Sequence, residues 1–160
     1  MLALLFSAGP HRCALPCRSV REVISCVTLQ PLAGAPRHLA GVFSYRGVVT
    51  PVADFCLMQS GKPCANRLSS RILLFDYALA GGVPRPVGLL AERVTETRQL
   101  SAQGGAVQAD LPFVGRVVVD AGEMIHLLDS QELLQRAFSA LPELTDGGAE
   151  TAHAALENRQ

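Results

Sequence analysis

The chain has 160 residues, 49% of them hydrophobic and 18% charged, which is enough for one domain with a real core. Lys plus Arg total 14 and Asp plus Glu total 14, so the formal charge is zero, and the basic field that gathers nucleic acid or an anionic membrane is excluded. No apolar run nears the ~20 residues that span a bilayer, and Ser7-Ala8-Gly9-Pro10 stops the apolar opening Met1–Phe6 too early for a signal-peptide core. No nucleic acid and no membrane insertion are therefore expected, and the default location is cytoplasmic.

Taken in order, Leu2–Phe6 reads as a short strand, Gly9-Pro10 turns it, and Arg12–Pro16 returns. Arg18–Val27 fits a helical stripe in part, but its β-branched residues favour a strand over Val23–Val27. Gln30–Arg37, with Pro31, Gly34 and Pro36, is a loop, and His38-Leu39-Ala40 reads as a single helical turn.

The stretch Gly41–Phe55 is the most informative. Two apolar arms meet at Arg46-Gly47, where Gly takes positive φ without steric cost, so a hairpin is expected. Alternation puts Phe43 and Tyr45 on one face of the first arm and Val42, Ser44 and Arg46 on the other. In the second arm Val48, Thr50 and Val52 share a face, and Val49, Pro51 and Phe55 share the opposite one. Arg46 puts a permanently charged fork of donors at the tip. It fits either the anchor of a docking surface or a surface ion pair with a carboxylate.

Met58–Ser70 reads as a long polar connection, and Ile72–Phe75 is a compact strand. Gly81-Gly82, Pro84 and Pro86 turn the chain, and Val87–Val94 begins a strand that runs on through Thr95 and Thr97 toward Leu100. Gly104-Gly105 marks a loop around an isolated Val107, and Pro112 breaks the segment after it. Val114–Val119 is strongly β-like, Asp120–Glu123 is a hairpin turn, and Met124–Leu128 returns. Short strands parted by Gly and Pro argue for an all-β fold, barrel or sandwich. Asp129 followed by Glu132 starts a helix whose apolar residues Leu133, Leu134, Ala137, Phe138 and Leu141 face the chain's own core before Pro142 ends it. The polar, Ala- and Gly-rich stretch 145–160 reads as a disordered tail in preference to a short frayed helix over Ala149–Glu157, which leaves a domain over 1–144.

No chemistry-bearing constellation emerges. His11, His38, His126 and His153 are scattered, and the Gly pairs lack the Lys and the strand-to-helix setting of a phosphate loop. Asp54, Asp76, Asp120 and Asp129 each close a strand, where Asp serves turns and caps. The five cysteines, Cys13, Cys17, Cys26, Cys56 and Cys64, are an odd number beside an ample core, which points to reduced thiols rather than a disulfide framework. Cys13, Cys17 and Cys26 are the weak candidates for a zinc or thiol-sensor site, and no histidine completes them. The expectation is no catalytic residue, no metal and no cofactor, so the function is binding rather than catalysis.

Several segments carry a family resemblance: Arg21–Ile24, Ala40–Asp54, Arg71–Phe75, Val87–Val94, and Ile125–Asp129 leading into the final helix. In this order and spacing the chain resembles the CheW-like chemotaxis coupling proteins over roughly Leu2 to Leu141. The Arg46-Gly47 hairpin trailed by Pro51-Val52-Ala53-Asp54 is the specific part. The resemblance implies an all-β fold of two small five-stranded β-barrels packed side by side, with a C-terminal helix. It also implies a non-enzymatic adaptor that couples the cytoplasmic tip of a methyl-accepting receptor to the regulatory domain of a histidine kinase. By the same resemblance Arg46 lies near the receptor and kinase contacts, and Glu22 and Val23 match a segment near the kinase-facing barrel. Val42, Tyr45, Arg46 and Val48 are expected to form part of one such surface. The chain departs from the pattern at Tyr45, where an aliphatic residue is usual, and at Glu92, where Asp is common. Two rivals stand beside the adaptor: a thiol- or metal-dependent sensor, and a small-ligand-binding barrel.

Overall fold

Hydrophobic alternation and Gly-borne reversals produce hairpins along most of the chain. In the computed structural model, which describes residues 1–78, 82–101 and 113–140, β1 (Leu2–Ala8) and β2 (His11–Pro16) pair antiparallel around Gly9 at φ 57°. A 3-10 turn over Cys17–Ser19 leads to β3 (Glu22–Ser25). The central hairpin is β4 (Leu39–Tyr45) and β5 (Val48–Asp54), followed by a short helix, α1 (Phe55–Ser60). Then come β6 (Arg71–Tyr77), the long β7 (Arg85–Gln99), the hairpin β8 (Val114–Asp120) and β9 (Glu123–Leu128), and α2 (Ser130–Phe138). The expectations on Gly81, on 104–112, on Leu141 and Pro142, and on the tail 145–160 with His153 lie outside the described residues.

The protein is mostly β, with α2 as its C-terminal helix. The strands form one path, β3-β6-β7-β1-β2-β9-β8, with β5 also on β7 and β4 on β5; the path does not close on itself. β7 links two sets of five. Its first part pairs with β6 and, in parallel, with β5; its second part pairs with β1. The strand bends between them, where Arg93 takes φ 49° opposite an irregularity in β1. Other contacts draw each set together. Gln30 and Val42 exchange two backbone hydrogen bonds of 2.9 Å, and Arg98 reaches Asp120 at 3.1 Å and Glu123 at 3.3 Å.

The period of two sorts the apolar side chains into three cores. Leu4, Phe6 and Leu15 meet Leu73, Phe75 and Leu89 in a central layer, joined by Phe55 and by the α2 face Leu133, Leu134, Ala137 and Phe138. The alternate residues Ala3, Leu5, Ala14, Ile125 and Leu127 build a small core within the β1–β2–β8–β9 set. Tyr45, Val52, Ile72 and Leu74 build another within the β3–β6 set. α2 thus buries its stripe in its own domain, started by Asp129, whose carboxylate accepts from Glu132 N at 3.1 Å.

Four local expectations change. Leu39 and Ala40 are strand, not helical turn, because His38 C=O already accepts from Asp54 N at 2.7 Å and ladder pairing overrides the local preference. β3 covers Glu22–Ser25 rather than Val23–Val27, since β6 offers partners only from Arg71 to Leu74 there. The connection after β5 opens with a helix that Asp54 starts by accepting from Leu57 N at 3.1 Å and Gly61 ends at φ 76°. Finally, Cys56 and Cys64 form a disulfide across a Cα separation of 5.1 Å, so the expectation of reduced thiols holds only for Cys13, Cys17 and Cys26. An odd count does not exclude a pair, and the turn after α1 brings two cysteines eight residues apart within reach.

Candidate partner-binding site

Arg46 and Gly47 form the two-residue reversal, with φ 50° and 80°, both left-handed, and Tyr45 pairs directly with Val48 beneath them. Such a turn matches the twist of the flanking strands, and it projects the Arg46 side chain, 68% exposed, from the tip. Tyr45 points the other way. Its ring packs on Val52, Ile72 and Leu74, with Phe43 at 6.3 Å between centroids.

Glu22 meets this turn from β3. It pairs with Leu74, so its carboxylate lies on the Tyr45 face of the sheet. The Tyr45 hydroxyl donates to Glu22 Oε2, and Arg46 Nη2 lies 3.5 Å from the same oxygen. The Arg46 guanidinium sits 5.2 Å from the Tyr45 ring centroid and that of Arg21 sits 5.6 Å away, close enough for cation–π attraction. Arg21 in turn donates to Asp76 at 2.8 Å. The hydrogen bond to Glu22 pushes the Tyr45 phenol above its ordinary value, with burial adding and the two guanidiniums opposing.

Of the six residues singled out, Glu22, Tyr45, Arg46 and Val48 converge, with Val48 40% exposed beside the turn. Val23 pairs with Leu73 and faces the opposite side of β3, exposed. Val42 lies on the opposite face of β4 from Tyr45, half-buried and tied to Gln30. Arg21 and Asp76 were missed. Their pairing depends on the β3–β6 register, where Arg21 N donates to Leu74 O, and no local spacing signals it.

The result is a surface of fixed charge and exposed apolar area, suited to contact rather than to bond making. Among the described residues Cys13, Cys17 and Cys26 form no group of metal-type donors: Cys13 is buried, Cys17 half-buried and Cys26 exposed. Asp54, Cys56 and Cys64 do come together, but both sulfurs are spent in the disulfide. His38 Nε2 lies 2.8 Å from Ala137 O, and His126 Nδ1 lies 3.3 Å from Arg12 O, so both rings have structural partners.

The CheW-like domain profile matches residues 2–138. The chain is 30% identical over 140 residues to "Protein FrzA" of Myxococcus xanthus, covering 82% of this chain and 84% of that one. The scaffolding protein TtCheW from Thermoanaerobacter tengcongensis superposes with a TM-score of 0.68 at 20% identity, over 79% of this chain and 82% of the other.

Proposed function

This chain belongs to the CheW-like domain family, and from that membership we propose that it is a non-catalytic adaptor of a chemotaxis-type signalling system. It couples the cytoplasmic tip of a methyl-accepting receptor to the regulatory domain of a histidine kinase, and it works in the cytoplasm. The observation that carries this reading is the family match across nearly the whole fold, with an exposed Arg46 held over Tyr45 and Glu22.

An adaptor must hold two partners at once, and the fold supplies separate surfaces for that. We read the two five-strand sets as two small barrels side by side; the three-way division of the core supports this, with one small core inside each set and a shared layer between. Arg46, Tyr45, Val48 and Glu22 belong to one partner-facing surface, and Val23 and Val42 to neighbouring faces of the same set. Interfaces of this kind bury ~1,600 Å² in total, and a few residues dominate their energy.

The test is affinity capture of the tagged full-length chain from its own cell, read for a receptor and a histidine kinase together. Recovery of both, with each still captured when the other is removed and each lost when its own contact surface on this chain is mutated, fits a coupling protein. Recovery of neither, at protein levels where the chain is folded, overturns the reading.

A further inference from the structure

The other end of the β3–β6 pair, away from Glu22 and the Arg46 turn, carries a separate feature. Past Ser25, which pairs with Arg71, the chain leaves β6 and pairs again only at Gln30 with Val42. The gap is a half-open cleft of about 360 Å³, a size typical of small-ligand sites. Leu29, Ile72 and Leu90 give it an apolar lining, and Cys26, Cys64 and Asn66 line it as well.

We propose that this cleft is an S-thiolation site, at which a low-molecular-weight thiol opens the Cys56–Cys64 disulfide and remains on Cys64 as a mixed disulfide. The two sulfurs differ in access. Cys64 is half-buried and lines the cleft, whereas Cys56, on the buried face of α1, is 3% exposed. An incoming thiolate therefore reaches Cys64 first, and which sulfur is attacked decides the product. The new bond joins the small thiol's sulfur to Cys64 Sγ. The bond to Cys56 breaks, and its electron pair stays on the Cys56 sulfur. The Asp54 carboxyl, within 4.8 Å of both sulfurs, disfavours a second lasting negative charge there, so the proton of the incoming thiol ends on Cys56. A second small thiol can then attack the sulfur of the first, leaving as the symmetrical disulfide and returning Cys64 as a thiol.

The fold is prepared for the opened state. Cys64 Sγ lies 3.4 Å from Leu90 O, a contact that gains a proton donor only once the second exchange returns Cys64 as a thiol. The surrounding segment stays attached without the disulfide: Cys64 N donates to Asp54 Oδ2 at 3.0 Å, and Val94 N donates to Ser69 O at 2.9 Å. Cys26 is the competing thiol in the same cleft. Burial raises its pKa and Arg71 opposes only in part, so at neutral pH it is protonated and slow to react.

The test uses full-length protein purified in air and glutathione as the probe. Peptide mapping after rapid acid quench is expected to show a Cys56–Cys64 link before treatment. After reduced glutathione, the adduct should sit on Cys64 at least about tenfold more often than on Cys56, following the difference in access. In Cys56→Ser, oxidised glutathione should load Cys64 stably, and Cys26→Ser should leave that loading unchanged. Should Cys56→Ser fail to fold, the wild-type mapping decides alone. Free thiols at both Cys56 and Cys64 in air-purified protein, or adducts confined to Cys56 or Cys26, overturn the proposal.

Discussion

Tyr45 donates its phenolic proton to the Glu22 carboxylate, which joins the tip of the β4–β5 hairpin to the edge strand β3. The bond spans 23 residues of sequence and fixes where the turn stands relative to the rest of the set. Tyr45→Phe keeps the ring in its core and removes only the hydroxyl, so the expected outcome is a folded protein with a Tm lower by a few degrees. The pH dependence has a definite sign. The folded phenol titrates above its ordinary value of 10.0, so its stabilising contribution is complete below that pH and is lost as pH rises through the raised value. Absorbance titration of Tyr77→Phe, which isolates Tyr45, should show ionisation above 10.0, and Glu22→Ala should bring it down.

Arg46 contributes little to folding by the same geometry. Its side chain is 68% exposed, and its contact with Glu22 is 3.5 Å long, a surface pair of small net value. Arg46→Ala is expected to weaken partner binding by about 2 kcal/mol, the size of a binding hot spot, while thermal stability stays nearly constant. Arg46→Asn is the control for the turn, because Asn tolerates the left-handed backbone that Arg46 adopts at φ 50°. Loss of binding in both variants at unchanged Tm, read by calorimetry, supports the interface role. A large fall in Tm with intact binding shows that Arg46 is structural.

Period-two alternation and turn chemistry made most strands legible, and the helix start at Asp129 was readable from its cap. The Arg46-Gly47 reversal was readable for the same local reason. What the sequence did not carry was register. Glu22 reaches Tyr45 only because it pairs with Leu74, and Arg21 reaches Asp76 through the same β3–β6 alignment. Local preference also misled where tertiary pairing won, as at His38–Ala40. The Cys56–Cys64 pair is hidden in the sequence because Phe55 continues the apolar arm and Met58–Ser70 shows only a polar connection, with no signal of the helix that brings the two cysteines together.

Cys13 separates the sensor rival from the fold. Its side chain is fully buried in the central layer, and burial pushes its thiol up to about 12, with Arg12 opposing weakly. Its stabilising contribution is complete below the ordinary value of 9.0 and is lost as pH climbs toward about 12. Since the thiolate is the reactive form, native Cys13 should resist iodoacetamide even at about pH 9, while Cys26 is labelled. Mass mapping after brief alkylation checks this. Labelling of Cys13 at the rate seen in denaturant would show that the central layer opens readily.

Gly88 tests the small core beneath the site. It lies on β7, facing the cluster that holds Tyr45, and a Cβ there would stand 2.9 Å from Ile72 Cγ2 and 3.0 Å from Val52 Cγ2. Both neighbours are β-branched and confined to few rotamers on paired strands, so neither can swing aside without moving backbone. Gly88→Ala is therefore expected to destabilise the fold by about 1–3 kcal/mol through overpacking, despite the better strand propensity of Ala. Gly115→Ala on β8 is the matched control, since its Cβ would meet only Leu127 O at 3.7 Å, an ordinary contact. Urea unfolding separates the cases: a lower midpoint at constant slope for Gly88→Ala, and little change for Gly115→Ala. Equal losses at both positions would assign the effect to the strand backbone and not to the packing around Tyr45.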